Sequence, residues 1–520
     1  RLWNIRTGET LRTFPGHPAP VLALALTATG NRLATVGADN TIRLWDLESG
    51  QVLATLVPLP AETLLRDPSD WLAVTPEGYY DGSANAGRHI HWRIGTHLYS
   101  VEAFEQKMHR PEQLRKALDP LAQPAGAGAG NNLPPPAPAL PLMMGVPPEI
   151  TFNTPQENET VMGSRVSVKL TVTATSKVNQ VEILANGRPL GAKPIEIGAK
   201  PIEIGAKPIE IGAKPLPSGH KSLQQFQMEV TLPPGDPQVV LTARVTDVDG
   251  LLAREELRLN RAGTGAANGN LYVLAVGISH YKNPKYNLKF AAADAAAFGA
   301  LWKGQGGGLY QKVEVTQLTD AQATSASIRA AFEQLQNAAT SADSVAIFLS
   351  GHGVQANAND YYFAAQDIDA SSLESVKQTG LPWTVLQTTL SALKARRVFM
   401  FLDACHSGNA LGGQQSSNER MAELLVKQGG VMVFSSSRGS EYSYELEDLQ
   451  HGAFTAAILE GIGQGKADFD IGGQRDGTIT AEELLAYLRA RVPQLTGNMQ
   501  TPTCPLLRDF GEASPLAKTK

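Results

Sequence analysis

Cys405 and His352 are two side chains whose types and settings could do nucleophilic chemistry together. Cys405 stands in RRVFMFLDACHSG, residues 396–408, and is one of two cysteines in 520 residues. A thiol attacks carbonyl carbon as its thiolate, and a neighbouring imidazole supplies the base that forms it. His352 closes DSVAIFLSGHG, residues 343–353, and precedes Cys405 by 53 residues. His406 lies next to the thiol, but adjacent side chains of an extended segment point to opposite faces, so His352 is the expected partner. Cys504, flanked by Pro502 and Pro505, reads as structural.

Both residues follow short apolar runs, Val345 to Leu349 and Val398 to Leu402, and small or polar residues come next. Such runs read as buried strands covered on both faces, and open α/β sheets hold their ligands at the carboxyl ends of strands. Around them, strands and helices alternate from Leu271. The pattern predicts helices over Leu288–Trp302, Ser325–Asn337, Thr384–Ala395, Glu419–Gln428 and Gly452–Gly463, with strands between them. That order argues for an α/β fold, a mostly parallel sheet with helices on both faces.

The motifs D-A-C-H-S-G and S-G-H-G, at this spacing, resemble those of the caspase-like cysteine peptidases, in their metacaspase and bacterial branch. GISHYKN, the Asp294 helix, SSSRGSEYSYE and HGAFTAAILEGI extend the resemblance from Leu271 to about Phe510. It implies a cysteine endopeptidase: Cys405 as nucleophile, His352 as base and later as acid, and a thioester intermediate. It implies an oxyanion site made by the backbone N–H groups of Gly353 and Cys405. Caspases carry Gln two residues before the cysteine, whereas Asp403 stands there in this chain. In metacaspases this acid lines a pocket for Arg or Lys, and Asp294 matches their second pocket acid. Arg438, entering the same pocket, would pair with Asp403 or reverse the preference towards Asp. Arg420 and Lys427, in the loop-rich stretch 409–430, are the expected points of self-cleavage.

The resemblance implies no required cofactor, with calcium as an activator. Asp468 to Glu483 ends like a calcium loop, but Gly472 and Gln474 stand where acids are expected, so it reads as a turn before a helix over Ala481–Ala490. Asp360, Asp367 and Asp369 form another acidic group, at which calcium activation stays open. No residue is assigned as a metal ligand. His89 and His91 alternate on a strand without a third ligand and read as packing or surface residues.

The rest of the chain is modular. Residues 1–118 carry RLWNIRTGETLRTF and its echo RLWDLESGQVLATL, with Trp3 and Trp45 separated by 42 residues and Gly16-His17 between them. This resembles the WD repeats, here a truncated propeller end followed by strands and a helix over Phe104–Leu118. Opening within a repeat, the chain is expected to lack its native N-terminus. Residues 119–148 form a Pro/Gly/Ala linker. Residues 149–261 alternate with period two between turn signals and read as a β-sandwich similar to immunoglobulin-like modules. GAKPIEI occurs three times in tandem from Gly191 to Ile211 and reads as a tolerated loop insertion. Residues 262–270 form a second linker and 271–520 the peptidase-like domain.

A net charge of −5 without a basic run gives no sign of nucleic-acid binding, and two distant cysteines make no disulfide framework. No apolar run is long enough to span a bilayer. The expected partners are protein or peptide substrates, with further proteins bound by the two β modules, in the cytoplasm. The alternatives are a catalytically silent scaffold, against which the presence of both Cys405 and His352 argues, and another clan-related cysteine hydrolase.

Overall fold

A computed structural model of the chain describes residues 1–28, 30–59, 71–82, 86, 91–94, 97–118, 145–190, 195–196, 200–201, 222–233, 238–262, 269–355, 360–406, 425, 430–437, 441–469, 475–504, 507 and 514–519. At the N-terminus, six strands from Val21–Leu26 to Tyr80–Gly82 pair in sequence order into one sheet. Buried Trp45 donates its indole N–H to Thr35 Oγ1 at 2.8 Å, and His17 joins the same hydroxyl at 2.8 Å and Asp39 at 3.0 Å. The Gly-His and Trp of the repeat thus lock one blade. Of the strands after it, Trp71–Val74 and Tyr80–Gly82 join this sheet, while His91–Ile94 and His97–Ser100 pair as a separate two-stranded sheet. The helix expected over Phe104–Leu118 arrives as two, Glu105–Met108 and Pro111–Leu118, because Pro111 lacks the N–H that would continue the first.

The C-terminal domain is built on a mixed sheet. Strands β1 (Leu271–Gly277), β2 (Val313–Thr319), β3 (Ser344–Gln355), β6 (Arg397–His406) and β7 (Met432–Ser435) run parallel in the order β2-β1-β3-β6-β7. The antiparallel strands β4 (Tyr361–Ala364) and β5 (Leu381–Pro382) add to the end of β3 beyond the point where β1 stops. They make the sheet mixed while five of its seven strands stay parallel as expected: after Gly277 the edge of β3 is open, and β4 covers it. Val345 to Leu349 are all fully buried, so both faces of β3 are covered.

Helix α1 (Ala291–Lys303) covers one face through an aromatic stack. Phe298 lies 4.7 Å from Phe348 and 5.1 Å from Phe401, and Trp302 lies 5.3 Å from Phe399. Phe298 and Trp302 are four apart on the helix, while Phe399 and Phe401 are two apart on β6, so each pair shares a face. Helices α2 (Ser325–Ala338) and α3 (Trp383–Ser391) follow close to the expected spans. The helix expected over Glu419–Gln428 lies outside the described residues except Leu425.

Between these units, two five-stranded sheets share one core that includes Val168, Leu170, Val172, Leu241 and Val245. This sandwich touches both neighbours. Leu251, beside the Asp249-Gly250 turn, is buried in the N-terminal cluster with Leu72, Tyr80 and Phe104. At another turn, Asn186 and Gly187 take positive φ values of 46° and 76°, the chemistry of a tight hairpin, and project Arg188 into the C-terminal domain. Its guanidinium, only 7% exposed, donates to the carbonyls of Leu390 at 3.5 Å, Gly430 at 3.2 Å and Leu393. Leu390 and Leu393 bracket the C-terminus of α3, where helix carbonyls lack internal partners and a cation is favoured. Burial pulls the Arg188 pKa down to about 10, so it remains a cation at neutral pH.

Each hydrogen bond from a charged donor contributes about 1.5–3 kcal/mol. Arg188→Met keeps the apolar stem and removes the donors. It is expected to lower the melting temperature of the C-terminal domain by about 5 °C in differential scanning calorimetry; an unchanged transition would show that the contact is energetically silent.

Candidate active site

The parallel pairing of β3 with β6 runs without a slip from Ser344 opposite Arg397 to Gly353 opposite His406, and it sets His352 opposite Cys405. Neighbouring strands lie about 4.8 Å apart, so the two backbones meet at close quarters at the carboxyl end of the sheet. His352 is 5% exposed. Its Nε2 donates to the carbonyl of Tyr286 at 2.8 Å, which fixes the proton on that nitrogen. Nδ1 then carries the lone pair, and it has no hydrogen-bond partner among the described residues. Tyr281 stacks on the imidazole at 5.1 Å, and its Oη accepts the His352 backbone N–H at 3.0 Å. Burial depresses the His352 pKa to about 4, partly offset by the Tyr286 bond, so the buried ring is neutral at pH 7.

Two carboxyl groups lie beside this pair, both nearly inaccessible: Asp294 at 2% and Asp403 at 4% exposure. Asp294 sits one helical turn before Phe298, and Asp403 lies two residues after Phe401. The aromatic stack therefore carries the two acids to the same end of the α1–β6 interface. Gly452 separates them: a Cβ there would lie 3.0 Å from Asp294 Oδ2 and 3.1 Å from Asp403 Oδ2. Its N–H donates to Asp294 Oδ2 at 3.1 Å, and His451 Nδ1 lies 2.6 Å from Asp294 Oδ1. Thr455 donates to Asp403 at 3.4 Å, and Ser436 and Ser443 bond the same carboxyl. Burial raises both pKa values. That of Asp403 reaches about 7, through burial first and the neighbouring Asp294 second. Two buried acids on either side of Gly452, bonded among the described residues by His451, Gly452, Thr455, Ser436 and Ser443, suit a cationic guest.

Residues 271–508 match the family model of the caspase domain, and residues 8–46 match that of the WD domain, G-beta repeat. The chain carries a caspase-like peptidase domain and a WD repeat. Among curated proteins, it is 34% identical over 77 residues to the periodic tryptophan protein 2 homolog of Schizosaccharomyces pombe, covering 15% of this chain and 8% of that protein. It is 30% identical over 97 residues to autophagy-related protein 16 of Arabidopsis thaliana, covering 18% of each. The chain thus spans less than a fifth of the length of these two relatives. Among solved structures, a structural-genomics protein of Geobacter sulfurreducens is similar at 18% identity and TM-score 0.34, over 48% of this chain and all of that one. The tandem Ig repeats of Dlar are similar at 14% identity and TM-score 0.14, over 26% of this chain and 60% of that one.

Within the peptidase domain, the structure brings together His352, Gly353 and the Cys405 backbone, and sets Asp294 and Asp403 around Gly452. Arg420, Lys427, Arg438 and His89 lie outside the described residues. Asp367 is taken up by the Ser325 N–H at 2.9 Å and Asp369 by that of Ser371 at 2.9 Å. Asp468 accepts from the N–H groups of Asp476 and Gly477 at 3.2 and 3.1 Å, and Glu483 caps the helix Ala481–Thr496 through Thr480. Among the described residues, no three His, Cys, Asp or Glu side chains converge as a metal site requires. Among them, too, no helix is long and apolar enough to cross a membrane. Sequence reasoning missed Tyr281, Tyr286, His451 and Gly452. All four lie within or beside the family-like stretches GISHYKN and HGAF, but the partners they serve are distant in the chain.

A carboxyl whose folded pKa is raised above its unfolded value loses stability as pH climbs between the two, because the unfolded state releases its proton first. Asp403→Asn abolishes that loss. It is expected to stabilise the substrate-free peptidase domain by roughly 2–4 kcal/mol at pH 8 and to be near neutral at pH 4. Thermal melts at the two pH values check this, and an equal effect at both would show that Asp403 is ionised throughout.

Proposed function

We propose that the peptidase domain is a cysteine endopeptidase that cleaves after Arg or Lys. The observation that carries the proposal is the unbroken β3–β6 register, which pairs the His352 and Cys405 backbones at the sheet end where two acids are buried. The Cys405 thiol gives its proton to His352 Nδ1 and its sulfur bonds the scissile carbonyl carbon. Backbone N–H groups of Gly353 and Cys405 receive the oxyanion. The C–N bond breaks as His352 returns the proton to the leaving amine. Water, deprotonated by the same imidazole, then attacks the thioester and releases the acid and the thiol. Asp294 and Asp403 receive the guanidinium or ammonium of the residue before the scissile bond.

Self-cleavage at Arg420 or Lys427 belongs to the same reading, as does recruitment of protein partners by the WD repeat and by an immunoglobulin-like sandwich in the cytoplasm. No metal enters the mechanism; calcium activation is one arm of the assay. Fluorogenic peptides ending in Arg, Lys or Asp, with and without calcium, test the whole reading. Expected is turnover of the Arg and Lys peptides, lost by at least a thousandfold in Cys405→Ala and His352→Ala. Preference for Asp would overturn the pocket, and no turnover at all would favour the scaffold.

Tyr281 makes a further prediction. Tyr281→Phe keeps the ring stack but orphans the buried His352 N–H, a loss of about 1–3 kcal/mol. It is expected to lower kcat about tenfold with KM little changed, measured on the Arg peptide; a change confined to KM would place Tyr281 in binding instead.

A further inference from the structure

The short hairpin of β8 (Glu445–Leu446) and β9 (His451–Gly452) is the wall of the acid pocket that the chemistry above leaves without a role. It is fastened at one end to α1: the Glu445 carboxylate accepts the N–H groups of Lys289 at 2.9 Å and Phe290 at 2.7 Å. At the other end it meets Asp294 twice, through the imidazole of His451 and the backbone N–H of Gly452. The His451 side chain is 24% exposed and that of Asp294 only 3%, so the imidazole stands between the acid and solvent.

We infer that His451 is a specificity-determining residue of the peptidase: its Nδ1 bond holds Asp294 as a charged, oriented carboxylate, one oxygen committed to the imidazole and the other bonded to the Gly452 N–H on the side of Asp403. This rests on the basic pocket proposed above and names the residue that sets its charge. The carboxylate needs that support because the groups around it oppose ionisation. Asp403 on β6 and Glu445 on β8 are like charges, and Lys289, the cation before α1, is paired with Glu447 further out. Thr455, Ser436 and Ser443 bond Asp403, not Asp294. Among the described residues, the Asp294 carboxyl is bonded by the hairpin, at 2.6 Å from His451 and at 3.1 Å from the Gly452 N–H. A buried carboxyl stripped of its donor keeps its proton to higher pH, and a neutral carboxyl no longer attracts a guanidinium. Gly452 completes the device, since any side chain there would stand between the two acids.

The test reads binding without turnover. The full chain carrying Cys405→Ala is titrated calorimetrically with agmatine, the guanidinium of arginine on a short chain, between pH 5.5 and 8.5. Agmatine is expected to bind more tightly as pH rises and the acids ionise. His451→Ala should weaken binding about tenfold at pH 7 and move the midpoint of the pH dependence upwards. His451→Asn, which keeps a neutral donor close to the Nδ1 position, should restore most of both. Agmatine binding that is unchanged in affinity and midpoint by His451→Ala would overturn the inference while leaving the basic pocket standing. No agmatine binding at any pH with His451 intact would overturn the pocket reading and the inference with it. A second readout needs no substitution at His451: its ring Cε1–H resonance must move when agmatine binds, and a resonance that stays put while agmatine binds elsewhere counts against the role.

Discussion

The register between β3 and β6 is the constraint on which everything else in the peptidase domain depends. A slip of one residue would invert the faces of the whole strand, removing His352 from Cys405 and Asp403 from the α1 side at once. What prevents the slip is packing. Phe348 and Phe401 are register partners, both lie against Phe298, and Phe401 stacks on Phe434 of β7 at 4.9 Å with rings 9° from parallel. Large flat side chains in a close-packed layer have few alternative arrangements, so the aromatic layer acts as a ruler for the polar residues beyond it.

The same ruler explains how a helix and a strand from distant parts of the chain bring two acids together. Asp294, Phe298 and Trp302 recur every four residues on α1, and Phe399, Phe401 and Asp403 every two on β6. Once the rings interlock, the acids fall at the same end of the interface. Desolvation and mutual repulsion make this arrangement unfavourable by itself. It is held by burial of the aromatic layer and by donors from the hairpin and from Thr455, the usual compromise in which a stable scaffold tolerates a poised site.

Much of this was legible in the chain. The runs before His352 and Cys405 announced buried strands, because only a strand covered on both faces tolerates five consecutive apolar residues. The motif spacing announced the caspase-like domain. The antiparallel strands β4 and β5 were not legible: two to four residues are too few to show a period. Nor were the roles of Tyr281 and Tyr286. One acts through a ring face and a hydroxyl and the other through a backbone carbonyl, and neither kind of contact leaves a pattern in neighbouring residues. His451 was visible inside HGAF, but its partner lies 157 residues away and only the fold joins them.

The sandwich meets the peptidase domain at the opposite end of the sheet from this chemistry. Arg188 grips Gly430, just ahead of β7, and the end of α3, just ahead of β6. Parallel strands share their amino ends, and ten residues of β6 span roughly 30 Å between that grip and Cys405. Among the described residues, the sandwich meets the peptidase domain at the amino ends of these strands. Its hold is on where β6 and β7 begin, and hence on the register between them: Phe399 opposite Met432 through Leu402 opposite Ser435. Because Phe434 belongs to that pairing and stacks on Phe401, the aromatic layer that aligns the acids is also the layer whose lower edge the sandwich clamps. The sandwich is thereby joined to the site through packing.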